Sequence, residues 1–410
     1  MKEGFGMAYE LLSKYYYKLD AQSYQNVLAA RYEQENTLQI DFPALSDTCF
    51  CVKTEELYAL LLEIHKIDKN ILKLRRILPI IAINEFTHRC LIDEIFLTNS
   101  IEGVHSTRRD IDALLTAPDN NKKRSRLQGL AQKYKKLQEQ EVVQLFTCED
   151  IRNLYDELVL TEVLEEDSND APDGKLFRKG PVSVYSAADK EIHRGIMPEA
   201  AIEDAMKKAL LFLDNEQEDL LIRIAVFHYL LGFIHPFYNG NGRLDRFISS
   251  YLLTQELDPL LSYRISYTIK EHINEYYKAF KECNRPENHG DTTPFVIFFI
   301  KIVHESIVQL HAALEKRVQK LSYYENILQQ NVFGTSGEIN QLIYVLVQAQ
   351  LFSEQGVSTK TLLEHCGLSR VTLMKRLDVI EDFGLLRVQK IGKEKYYGLV
   401  LENLAKGAET

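Results

Sequence analysis

Arg243 and Arg246 lie three residues apart just after the turn Gly240-Asn241-Gly242, and His235 lies five residues before it, all within IHPFYNGNGRLDR (234–246). The glycines admit backbone conformations closed to most residues and can turn successive N–H groups toward one point. A helix starting beside the turn adds its free N–H groups and positive dipole end. Arginines at i and i+3 share a face of its first turn. The product is an anion hole suited to two or three phosphates. His235 at its mouth could take a proton from an attacking hydroxyl. A plain structural turn with capping side chains is the competing expectation. The density of phosphate-binding features within a dozen residues weighs against it.

The elements around this loop read as helices. RIAVFHYLLGFI before it and RFISSYLLTQEL after it are buried helices, and apolar residues recur at three- and four-residue spacing in EELYALLLEIHKIDKNILKLRRIL (55–78), INEFTHRCLIDEIFLTNSIE and FVIFFIKIVHESIVQLHAALEKRVQKL. In FRKGPVSVYSAADKEIHRG (177–195), Val182 and Val184 alternate with Ser183 and Tyr185, as in a short β-hairpin. The acidic run before it is a surface loop. Turn formers at 331–338 end a long helix, and beyond them three short helices precede two strands around Gly392, the order of a winged helix-turn-helix. Ser358 and Ser369 stand where N-caps belong.

At 410 residues, two or three domains are expected. A net charge of −10 argues against an overall coat for nucleic acid or anionic lipid. The six cysteines form no C-x-x-C pair, so neither a zinc ribbon nor a disulfide framework is expected, and Cys49-x-Cys51 reads as two small apolar residues. The first residues lack the apolar centre of a signal peptide, and no window reaches the roughly 18 apolar residues of a membrane span. A cytoplasmic protein with no membrane partner is expected.

HPFYNGNGRLDR resembles the Fic family motif, H-x-F-x-[D/E]-G-N-G-R-x-x-R. That family transfers a nucleoside monophosphate, usually AMP from ATP, to a protein hydroxyl. The resemblance implies a mainly α fold: a Fic-type helical core with a short β-hairpin flap, followed by the small winged helix-turn-helix domain. Its expected limits are an N-terminal helical extension (1–60), the core (61–332), the winged helix (338–400) and a tail (401–410). Carried over by position, His235 is the catalytic base and Phe237 the loop's buried anchor. Gly240, Asn241 and Gly242 are the phosphate cradle, and Arg243 and Arg246 hold outer phosphates. Leu244 and Asp245 belong to the same nucleotide-binding segment, with Asp245 turned off the metal. Tyr277, in NEYYKAFKECN, resembles the family tyrosine near the base. Val182, Ser183, Val184, Tyr185 and Ser186 stand at the flap that aligns the target chain by strand addition.

Asn239 replaces the family's acidic residue, which helps hold Mg²⁺. A neutral amide oxygen adds no charge for a hard cation such as Mg²⁺ or Mn²⁺. Weaker metal dependence, altered chemistry or low activity is the expectation.

TNSIEG (98–103) resembles the inhibitory helix of autoinhibited relatives, with Thr98 and Glu102 on one helical face and Gly103 after them. Glu102 is expected to pair with Arg246 in place of the γ-phosphate. A glutamate here could also orient water for hydrolytic removal of AMP. His228 reads as a core histidine, and His105 and His193 as surface loop residues.

The expected activity is therefore an autoinhibited protein adenylyltransferase using ATP. The alternatives are an ATP-sensing transcription regulator with a weakened core, or a hydrolase that removes AMP. The expected partners are a nucleotide, a hydroxyl-bearing protein or the chain itself, a second copy in a homodimer, and DNA. From Ser358 to Val400, eight Lys/Arg stand against five Asp/Glu, with Arg370, Lys375 and Arg376 on the expected recognition helix and Lys390, Lys393 and Lys395 on the wing. Protein docking is an equal use for such a domain.

Overall fold

The computed structural model describes residues 9–42, 49–116, 127–185, 191–330, 333–353, 356–391 and 394–407. They fall into two units, one of residues 1–68 and 91–308, the other of residues 69–90 and 309–410.

In the first unit, Asp219 opens the helix Leu220–Ile234 by accepting from the N–H groups of Leu221 (2.8 Å) and Ile222 (3.4 Å). This helix is apolar on every side, so it must be enclosed, and twelve of its fifteen residues are buried. It packs between the helices Glu199–Leu213 and Asn241–Glu256. His235 ends it in a left-handed conformation (φ 51°, ψ 61°) while its N–H still reaches the Leu231 carbonyl at 3.0 Å. Left-handed backbone is costly for a residue with a Cβ, so the surroundings must hold it.

Arg178 supplies that hold. It is fully buried and donates to the carbonyls of His235 (2.8 Å), Gly180 (2.7 Å) and Ile196 (2.9 Å). The hairpin expected at 177–195 is present: Ser183–Tyr185 runs antiparallel to Glu191–Arg194, with Ser183 opposite Arg194 and Val184 opposite His193. Val182 extends the pairing by accepting from the Gly195 N–H at 3.0 Å. Ser186 lies outside the described residues.

The N-terminal 60 residues are not wholly helical as expected. After the helices Leu12–Lys18 and Ala21–Tyr32, the strands Thr37–Ile40 and Cys49–Val52 pair antiparallel. The second strand is buried throughout and exchanges backbone bonds with Gly290 and Thr292 through Phe50. A four-residue strand with such remote partners carries no periodic signature. Cys49 and Cys51 are buried there, and burial pushes the Cys49 thiol up to about 12. The helix Thr293–Gln329 corrects another expectation, because by length and composition it could cross a membrane, although 61% of its apolar window is buried within the protein.

In the second unit, the helices Gly337–Phe352, Thr359–Cys366 and Arg370–Asp382 accompany a three-stranded antiparallel sheet. Its middle strand is Glu394–Leu399, flanked by Leu386–Ile391 and the short Val357–Ser358. Ser358 and Ser369 are N-caps as expected, accepting from the N–H groups of Thr361 (3.1 Å) and Thr372 (3.2 Å). This unit reaches further back than the expected start at 338. Arg317 lies over the rings of Phe86 (5.0 Å) and Phe352 (5.8 Å), which meet edge to face.

Phe237, at the base of the motif loop, is fully buried, stacks on Tyr155 at 3.6 Å and meets Phe177 edge-on. Phe237→Ala should destabilise the protein by about 3–5 kcal/mol, read as a lower urea midpoint at unchanged slope. A midpoint within error of the parent would mean that the ring does not anchor the loop.

Candidate active site

The turn forms at Gly240, while Asn241 and Gly242 already belong to the helix that follows. Gly240 has φ +81° and precedes the first residue of the helix Asn241–Glu256. A Cβ there would press at 3.0–3.4 Å on Val159, Tyr155 and Val163, so glycine is favoured by space as well as by φ. Asn241 closes the loop onto Phe237: its oxygen accepts from the Phe237 N–H (3.0 Å), and its amide donates to the Phe237 carbonyl (2.8 Å). The Asn241 side chain is therefore a lock. It leaves the backbone N–H groups of the helix start to meet an anion.

A cavity opens beside this helix start. His235, Gly242, Asp245 and Arg246 line one side, while Tyr276, Tyr277, Phe280 and Asn284, on or just after the helix Ile273–Cys283, line another. Glu102, His193, Gly232 and Asn241 also line it. Aromatic rings beside a cationic, N–H-rich wall suit a ligand with a flat base and a charged tail.

His235 is neutral in this setting. Burial dominates in lowering its pKa to about 4, aided by His193 and Arg178 and opposed by a hydrogen bond to the Gly232 backbone and the charge of Glu102. A neutral imidazole at the cavity mouth can accept a proton.

Arg246 is 1% exposed. Its Nε donates to Thr98 Oγ1 (2.8 Å), and its Nη2 donates to the Thr98 carbonyl (3.0 Å) and to Glu102 Oε1 (2.7 Å). Thr98 and Glu102 lie at the end of the helix Ile80–Ile101. Gly103 terminates that end with φ +74°, letting the Val104 N–H return to the Asn99 carbonyl at 2.9 Å. The Glu102 carboxylate lies so close to Gly242 that a Cβ there would collide with it. Burial raises its pKa, but attraction to Arg246, their hydrogen bond and the charge of Arg243 outweigh this and hold it below the usual range. Glu102 is thus the anion bound at this helix start.

Several expected roles move. Arg243 does not face the cavity. It is fully buried, donates from Nη1 to Glu162 Oε2 at 2.6 Å and from Nη2 to Asn239 Oδ1 at 3.3 Å, and so cannot hold outer phosphates as placed. Leu244 is core. Asp245, expected to turn away, lines the cavity. His193, expected on a surface loop, belongs to the strand Glu191–Arg194 and packs on Phe233, its Nε2 2.6 Å from the Phe233 carbonyl. His228 is the core histidine expected. Tyr277 lines the cavity, as do the unforeseen Tyr276, Phe280 and Asn284. Their only local signal is the helical spacing that places Tyr276 and Tyr277 one turn before Phe280. Arg178 gave none, because its partners lie up to 57 residues away.

Asn239 does not fit a Mg²⁺ ligand. Its oxygen accepts from the Gly240 N–H (2.7 Å) and from Arg243, so a cation there would face a guanidinium. Its amide donates to Asp170 at 3.2 Å. No group of three metal-ligating side chains occurs among the described residues.

Residues 145–253 match the model of the Fic/DOC family. The chain is 24% identical over 180 residues to protein adenylyltransferase fic-1 of Caenorhabditis elegans, covering 42% of this chain and 32% of that protein. It is 31% identical over 83 residues to protein adenylyltransferase Fic of Nematostella vectensis, covering 20% of this chain and 17% of that one. It thus spans a third or less of these curated relatives. The crystal structure of a Fic family protein from Desulfovibrio desulfuricans G20 shares the fold, with a TM-score of 0.51 and 18% identity over 85% of this chain and 96% of that one.

His235 should titrate near pH 4, below the 6.5 of a free imidazole. Because the Glu102 charge favours the imidazolium, Glu102→Gly should lower that value further. Ring-proton NMR of the parent and the variant checks both, and a value at or above 6.5 would remove the neutral base.

Proposed function

Given that this chain carries a Fic/DOC-family domain at residues 145–253, we propose that it is a protein adenylyltransferase held in check by Glu102. The observation that carries this reading is the buried clasp of Arg246 by Thr98 and Glu102 beside the start of the Asn241–Glu256 helix. A nucleotide's terminal phosphate would replace the Glu102 carboxylate on Arg246, an exchange of one anion for another. The aromatic side of the cavity would take the base. His235 then accepts the proton of a Ser, Thr or Tyr hydroxyl, whose oxygen attacks the α-phosphorus. The bond to the β-phosphate oxygen breaks, pyrophosphate leaves, and the helix N–H groups hold the developing charge. With Glu102 in place, the site offers a polyphosphate no free cation at Arg246. The flap strand Ser183–Tyr185 is the natural edge for a target segment.

A nucleotide-sensing regulator is the second reading, favoured by the departure at Asn239 and by the C-terminal unit. The strand order and three helices of that unit support a winged helix, with Arg370 and Lys375 exposed on one helix and Lys390 opposite Lys395 on the hairpin. Arg376 is less suited to DNA than expected, since it pairs with Glu338. Lys393 lies outside the described residues.

With α-labelled ATP, Glu102→Gly should label protein far above the parent, and Glu102→Gly/His235→Ala should not. Absence of label with either Mg²⁺ or Mn²⁺, with ATP still bound, would favour the sensor. In fluorescence anisotropy at low salt, the protein should bind duplex DNA, and Arg370→Glu/Lys390→Glu should weaken it by about tenfold or more. Equal binding by both proteins would remove DNA as the partner of this face.

A further inference from the structure

Asp245 lines the cavity, yet the transfer reaction gives it no task. It is 2% exposed, on the same face of the cavity as Gly242 and Arg246. Its Oδ1 lies 3.3 Å from His228 Nδ1 but has no hydrogen-bond partner. His228 is committed elsewhere, with Nδ1 at 2.8 Å from Ser249 Oγ and Nε2 at 2.7 Å from the Tyr276 hydroxyl. A buried carboxyl oxygen without a donor costs free energy unless the group is neutral or something arrives to meet it.

The charged and titratable groups facing it come from four elements: Arg246 on its own helix, Glu102 after the Ile80–Ile101 helix, His228 on the Leu220–Ile234 helix and Tyr276 on the Ile273–Cys283 helix. Burial pushes His228 down to about 3, so it offers no charge, and the buried Tyr276 phenol is neutral as well. That leaves two carboxyls sharing the field of one guanidinium. Glu102 holds the hydrogen bond to Arg246 and the charge. Burial and Glu102 push the Asp245 carboxyl well above the usual carboxylate range, against the pull of Arg246.

We propose that Asp245 is a charge-selecting residue of the nucleotide cavity, which admits a polyphosphate beside Arg246 only when the Asp245 carboxyl carries its proton. The inference rests on the nucleotide reading of the cavity. Removal of Glu102 takes away a like charge and frees Arg246, so Asp245 ionises more readily. An incoming polyphosphate reverses this, and binding then takes up a proton at Asp245.

Calorimetric titration of ATP into Glu102→Gly and Glu102→Gly/Asp245→Asn, in buffers of different ionisation enthalpy between about pH 6.5 and about pH 8.5, tests this. The single variant should take up more protons than the double variant and lose affinity more steeply as pH rises. At the alkaline end the double variant should bind about tenfold or more tightly than the single one. Titrations of ATP and of His235 are common to both proteins and cancel in the comparison. Should the asparagine variant not fold, Asp245→Ser serves the same comparison. Equal proton uptake and equal pH dependence in the two proteins would overturn the inference alone. Failure of Glu102→Gly to bind ATP at any pH would overturn the nucleotide reading, and this inference with it.

Discussion

Arg246 is a full charge taken out of water, and the site is organised around that fact. A buried cation without a partner costs several kcal/mol, and removing one member of a buried pair typically costs about 3–5 kcal/mol. Some anion must therefore occupy the position beside Gly242. Within the chain, Glu102 meets the requirement, at 2.7 Å from Arg246 and against the first turn of the Asn241–Glu256 helix. A ligand that enters must bring its own anion to the same place. The Glu102 contact and a ligand's own anion contact are then alternatives for one guanidinium.

The helix that carries Glu102 is fixed by a second buried acid. Glu94 lies one helical turn before Thr98 and is fully buried, accepting from the Ser266 N–H (3.0 Å) and hydroxyl (2.5 Å). Burial raises its pKa to about 7 although both hydrogen bonds and the charge of Arg246 oppose the rise. Lys270 donates to the Ser100 carbonyl at 3.0 Å, satisfying one of the last acceptors of the same helix. The clasp is thus the end of an element tied at two further points.

What was legible in the sequence is what local residues determine. Gly240 marks a turn, the run before it a buried helix, and the Thr98–Glu102 spacing a shared helical face, and each stands in the structure, whereas Gly242 lies within the helix. The division of labour between the two arginines was not legible. Residues 243 and 246 read as equals on one face, but Glu162, 81 residues before Arg243, draws one of them under the loop. Likewise Asn241 reads as a phosphate ligand by type, while its amide has both a donor and an acceptor to close on Phe237. Arg178 carries no local signal, and the direction of the Asp245 side chain carries none either, because their partners come from distant helices and turns. The strand pair at residues 37–52 was missed for the same reason, being too short for periodicity and completed by backbone near Gly290.

Asn239 shows how far a single motif position depends on such partners. A carboxylate there could accept from Gly240 and Arg243 but could give nothing to Asp170. The amide does both, with its oxygen toward the guanidinium and its nitrogen toward the Asp170 carboxylate. Arg243 is already balanced by Glu162, so a carboxylate at 239 would place a second negative charge on that arginine and face Asp170 across about the length of a hydrogen bond. The neutral residue suits the electrostatics of this loop as it stands: Arg243 with Glu162 beneath it, and Arg246 with Glu102 within the cavity. Each pair is balanced while the clasp is closed. Displacing Glu102 exposes one positive charge, at the point where the helix N–H groups converge. That single charge, with the buried carboxyl of Asp245 beside it, sets how much negative charge the cavity can accept.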